Sequence, residues 1–82
     1  MYDAPITAHD LDGLRLCPVT IFVQKRMIAM DALRLDRMKR LHARGLVSCR
    51  VLDNVRGVIK CEFDWTAAGR TALGLPPEAP AP

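Results

Sequence analysis

The stretch "RLDRMKRLHARGLV", residues 34–47, decides how this chain is organised. Its first part repeats apolar residues at helical spacing. At about 100° per residue, Leu35, Met38 and Leu41 fall within about 120° of one another, and His42 lies inside the same arc. The last part breaks that period. Gly45 suits a helix C-cap, Arg44 places a cation where the helix dipole is negative, and Leu46 and Val47 begin an apolar run. With Asp31 as its expected N-cap, the stretch reads as a helix over about 32–44 that turns abruptly into a strand. It also carries Arg34, Arg37, Lys39, Arg40 and Arg44, out of 12 Lys and Arg in the whole chain. Relative to Leu41, Arg37, Arg40 and Arg44 lie at about −40°, −100° and −60°. They form one stripe beside the apolar arc, offset only by Asp36. A stripe of one sign is either the wet face of an ordinary helix or a surface for an anion.

Downstream, the period becomes two. Val47, Cys49 and Val51 alternate with Ser48, Arg50 and Leu52; Ile59, Cys61, Phe63 and Trp65 alternate with Val58, Lys60, Glu62 and Asp64. These are two strands of a hairpin around the turn-rich "DNVRG" (53–57). Pairing Val47 with Phe63, Cys49 with Cys61 and Val51 with Ile59 puts six apolar side chains on one face, the register that burial selects. Thr66 then caps a short helical segment, which Gly69 weakens by about 1 kcal/mol relative to Ala.

Upstream, Thr7 is the expected N-cap of a first helix over about 7–15, with an acidic first turn. Pro18 fits the first turn of a second helix carrying Val19, Phe22, Val23 and Met27 at helical spacing. The β-branched content of that segment equally suits a strand. "PPEAPAP" (76–82) reads as an extended tail. A hairpin cannot bury its apolar face alone, so it must pack against the helices. The expected fold class is α+β: three helices, a two-stranded hairpin and a short C-terminal helical segment.

The chain of 82 residues suffices for one small domain, half hydrophobic with few aromatics. Net charge is +3, so the placement of charge matters more than its size. The three cysteines have no metal-ligand spacing, and no zinc site is expected. No nucleophile, base and oxyanion set is present, so neither catalytic residues nor a cofactor is expected. There is no secretory pattern and no apolar run of membrane-spanning length, which leads to the expectation of a reduced, cytoplasmic protein without a membrane partner. Cys49 and Cys61 are expected to face one another across the hairpin, either as small hydrophobes or as a redox pair.

Two patterns give a resemblance. "MKRLHARGLV" (38–47) matches L-x-x-L-x-x-x-G-L-V at Met38, Leu41, Gly45, Leu46 and Val47. "WTAAGRTAL" (65–73) matches L-T-x-x-G-R-x-x-L at Trp65, Thr66, Gly69, Arg70 and Leu73, with Trp replacing Leu. Separated by a hairpin-length stretch, they resemble the winged helix-turn-helix DNA-binding domain of MarR- and PadR-type bacterial regulators. The resemblance covers about Thr7 to Leu75 and implies a winged-helix domain over 1–75, with 76–82 as its flexible tail. It implies a transcriptional regulator that binds double-stranded DNA, as a homodimer. Helix 32–44 would be the recognition helix and hairpin 47–64 the wing. Arg34, Arg37, Lys39, Arg40 and Arg44 would contact phosphates or base edges from that helix. Arg50 and Arg56 would do so from the wing, and Lys25 and Arg26 from the preceding helix. Arg34 stands where many relatives have a small or apolar residue. A different reading of the same fold is a protein-interaction module, an adaptor or anti-regulator with no DNA contact.

Overall fold

In the computed structural model, which describes residues 5–76, the order is α1 (Ala8–Leu14), β1 (Val19–Val23), α2 (Ala29–Ala43), β2 (Val47–Val55), β3 (Val58–Trp65) and α3 (Ala67–Ala72). The chain is a small α+β fold with three helices and one antiparallel sheet in the order β1-β3-β2. Most of the Pro-rich segment, residues 77–82, lies outside the described residues.

The first helix is where the sequence predicts it. Thr7 and Asp10 form a capping box: the Asp10 backbone N–H donates to the Thr7 hydroxyl at 3.2 Å, and the Thr7 N–H donates to the Asp10 carboxylate at 2.9 Å. The second expected helix is a strand. Val19, Thr20, Ile21 and Val23 are β-branched and stiff at χ1, which suits a pleated surface better than a helical turn. Ile21 is buried while Thr20 and Phe22 face solvent, a period of two rather than 3.6. Phe22 pairs with Lys60, whose ammonium stands 6.0 Å from the ring centroid.

The main helix starts earlier than its expected cap. Ile28 is the N-cap and makes no side-chain hydrogen bond; Asp31 lies in the first turn, where its charge still favours the dipole. The C-terminus closes as the sequence predicts. Gly45 has φ +74°, its N–H donates to His42 O at 2.9 Å, and the Leu46 N–H donates to Leu41 O at 3.0 Å. This pair of bonds is a Schellman motif, and Leu46 is buried with Leu41 beneath it.

The hairpin register differs from expectation by two residues. Val47 pairs with Trp65, Cys49 with Phe63 and Val51 with Cys61. An irregularity between Val51 and Asp53 absorbs one residue, and the strands close on Val55 and Val58. The turn is the two residues Arg56 and Gly57, both at positive φ (53° and 78°), rather than the five-residue "DNVRG". Such a tight turn matches strand twist and lets β2 run on to Val55. An even shift keeps the same residues on the same face. Burial does not follow along the whole face, however. Val47, Cys61 and Phe63 are in the core, but Cys49 and Val51 are exposed, because an open groove separates them from Leu35, Lys39 and His42 of α2.

The core joins Leu14 of α1, Cys17, Ile21 of β1, Met38 and Leu41 of α2, Leu46, Val47, Cys61 and Phe63. Trp65 ties its far end, donating its indole N–H to Leu14 O at 2.7 Å while the Arg70 guanidinium stacks 5.3 Å from its ring.

Candidate nucleic-acid interface

The predicted basic stripe on α2 resolves into side chains with different surroundings. Arg44 turns towards α1 and forms an ion pair with Asp10 at 2.5 Å, both side chains mostly out of solvent. Asp10 is thus at once the partner of the Thr7 cap and the anchor of the α2 C-terminus. Its carboxyl is held below its ordinary value of 3.8, first by the Thr7 backbone N–H, then, against partial burial, by the Thr7 hydroxyl and the Arg44 guanidinium. A depressed folded-state value contributes stability that is fully present above the unfolded value and lost as pH falls through the folded one. Asp10→Asn is therefore expected to be less stable than the parent at neutral pH. The gap should close as pH falls below about 4. Urea midpoints followed by the fluorescence of Trp65 would measure this, and a gap that stayed constant down to acid pH would refute it.

Arg37 is half-buried. Its stem lies over Gly13, where an added Cβ would fall 2.7 Å from the Arg37 Cδ, and its Nη2 stands 3.3 Å from His9 Nδ1. Arg40 is exposed and pairs with Asp36 one turn earlier at 2.9 Å. Arg34 is exposed and has no ion-pair partner among the described residues. Arg34, Arg37 and Arg40 nevertheless converge. With His9, Leu16, Met30, Leu33 and Asp36 they line one open groove of about 420 Å³ between α1 and α2.

The remaining predicted contacts are dispersed. Lys39 sits on the other flank of α2, over a second groove of about 250 Å³ with His42, Leu35, Cys49, Val51 and Cys61. Arg50 is exposed on β2 opposite Glu62, 3.4 Å away. Arg56 is exposed at the hairpin tip. Lys25 and Arg26 are exposed in the connection between β1 and α2, not on a helix.

The cysteines are free thiols. Cys49 and Cys61 are diagonal rather than opposite, since Cys49 pairs with Phe63 and Cys61 with Val51. Burial, and then the neighbouring Cys49, push the Cys61 thiol up; burial and Asp64 push Cys17 up to about 11. Both shifts oppose thiolate formation. Among the described residues there is no group of three His, Cys, Asp or Glu side chains placed to hold a metal, and no helix long and apolar enough to cross a membrane.

The chain matches no family model, no curated protein and no solved structure.

Sequence reasoning missed the apolar part of the α1–α2 groove. Met30 and Leu33 were legible: with Arg34 and Arg37 they follow the i, i+3, i+4, i+7 spacing of one helix side. Their exposure was not, because it depends on where α1 stops.

Proposed function

We propose that this chain is a small DNA-binding domain of winged-helix type. The observation that carries the reading is the convergence of Arg34, Arg37 and Arg40 on one solvent-open side of α2, the helix that leads directly into the hairpin. Two further features support it. The hairpin follows α2 directly, and Arg56 stands exposed at its tip. The exposed Lys25 and Arg26 precede α2 and add positive charge at its N-terminal end.

In this reading α2 enters a major groove, Arg34 and Arg40 meet phosphates or base edges, and Arg56 reaches the neighbouring backbone. Arg37 contributes its charge while its stem stays on α1. Arg44 is withdrawn from the interface by Asp10. A single helix stands between β1 and β2, so Lys25 and Arg26 would meet phosphates from a loop. Two copies on two half-sites would raise the effective concentration of the second contact, which favours a homodimer on DNA. This reading places the protein in the cytoplasm, where its three free thiols would stay reduced.

Salt gives the test. Each neutralised phosphate releases counterions, so log affinity should fall linearly with log salt, with a slope of about −0.9 per contact. Three or four contacts predict a slope of about −3 in fluorescence anisotropy with a labelled random-sequence duplex. Absence of duplex binding at low ionic strength would reject the reading.

A further inference from the structure

The α1–α2 groove has a floor that a phosphate backbone does not ask for. Leu33 is 71% exposed, Met30 60% and Leu16 42%. The cause is a mismatch of lengths. α1 has 7 residues and α2 has 15. Asp10 and Gly13 of α1 meet Arg44, Leu41 and Arg37 in the C-terminal half of α2. The chain then turns away at Leu16 towards β1. The N-terminal half of α2 therefore keeps its α1-side flank open, and that flank carries Met30 and Leu33. Around it stand Arg34, Arg37, Arg40 and His9; the single acidic side chain of the lining, Asp36, is already paired with Arg40.

We propose that this groove seats an amphipathic α-helix of a partner protein, with a Leu-rich stripe flanked by acidic residues. A helix fits because the open flank of α2 is itself a ridge of i, i+3, i+4 side chains, the surface against which another helix packs. Acidic flanks fit because the rim is positive and a matched charge both steers the encounter and fixes orientation. A second copy of this chain fits poorly. An isologous contact through the groove would set Arg34, Arg37 and Arg40 against themselves. The inference does not depend on duplex binding. Where both hold, the two ligands share Arg34 and Arg40 and exclude one another, so the partner helix would release the DNA.

The test uses the full chain and a fluorescein-labelled synthetic helix of about five turns, with Leu at i, i+3, i+4 and i+7 and Glu on both flanks. Controls carry Lys in place of Glu, or the same residues scrambled. Saturable anisotropy is expected with the acidic helix, weakened about tenfold or more with the Lys version and with Leu33→Asp. Leu33 is exposed, so that variant should keep its circular dichroism spectrum and urea midpoint. Should it not, Met30→Asp serves the same purpose. Equal binding of the acidic, Lys and scrambled peptides, or binding indifferent to Leu33→Asp, would overturn the proposal. So would a concentration-dependent dimer in sedimentation that Leu33→Asp abolishes, since the occupant would then be a second copy. Duplex binding without peptide binding overturns this proposal and leaves the DNA reading standing; peptide binding without duplex binding does the reverse.

Discussion

Gly69→Ala is expected to unfold most of the population at room temperature. Helix propensity alone says the opposite: Ala for Gly inside a helix gains about 1 kcal/mol. Tertiary packing decides the sign. A Cβ at position 69 would stand 2.0 Å from the Leu46 carbonyl oxygen, which is backbone and cannot rotate away. That carbonyl accepts the Thr66 N–H at 3.2 Å, and the Gly69 N–H in turn donates to the Thr66 hydroxyl at 3.1 Å. The Thr66 hydroxyl also donates to Gly45 O at 2.6 Å. Separating α3 from the Gly45–Leu46 corner therefore strains a helix cap and two backbone contacts together. Overpacking costs about 1–3 kcal/mol, and the lost cap and hydrogen bond add about 1 kcal/mol each. A domain this small is rarely stable by more than about 3–5 kcal/mol. Circular dichroism and Trp65 fluorescence in urea would report the outcome. A cooperative transition at the parent's midpoint or above would show that the corner can move aside.

That corner also shows what was legible in the sequence. The "GLV" after α2 and the "TAAG" after β3 are local signals, capping chemistry and a forced positive φ, and the structure realises both. The same holds for Thr7. Elements decided by tertiary context were harder. Residues 19–23 have apolar side chains compatible with either period, and pairing with β3 makes them a strand. Hydrophobic alternation is blind to even shifts, so the two-residue difference in hairpin register is fixed only by the turn at Arg56–Gly57 and the irregularity after Val51. The role of Gly69 was invisible because it rests on Leu46, distant in sequence.

The candidate site divides in the same way. Helix geometry placed the arginines of α2 on one side, which is a property of spacing alone. It could not tell which of them would find partners. Arg44 is held by Asp10, from a different helix. Arg34, the residue least like the pattern of the resembling regulators, lines the groove without an ion pair among the described residues.

Under the DNA reading, Arg34→Ala with Arg40→Ala should weaken duplex binding by about 100-fold at moderate salt, at about 1–3 kcal/mol per lost contact. The slope of log affinity against log salt should become shallower by about 1.8, or 0.9 for each phosphate contact removed. Folding should barely respond. Arg34 forms no ion pair among the described residues, and the Arg40–Asp36 pair is exposed, so its removal costs at most a few tenths of a kcal/mol. Arg44→Ala should behave in the opposite sense. It leaves Asp10 mostly buried without its guanidinium, which destabilises the fold by about 1–3 kcal/mol. The affinity of the folded fraction should stay within about twofold, because that side chain faces α1 rather than the groove. A merely electrostatic surface would respond in proportion to the charge removed, two guanidinium groups in the double variant and one in Arg44→Ala. Equal losses of affinity per charge removed would place the duplex elsewhere on the positive surface, and unchanged binding in the double variant would remove the α2 groove from the interface.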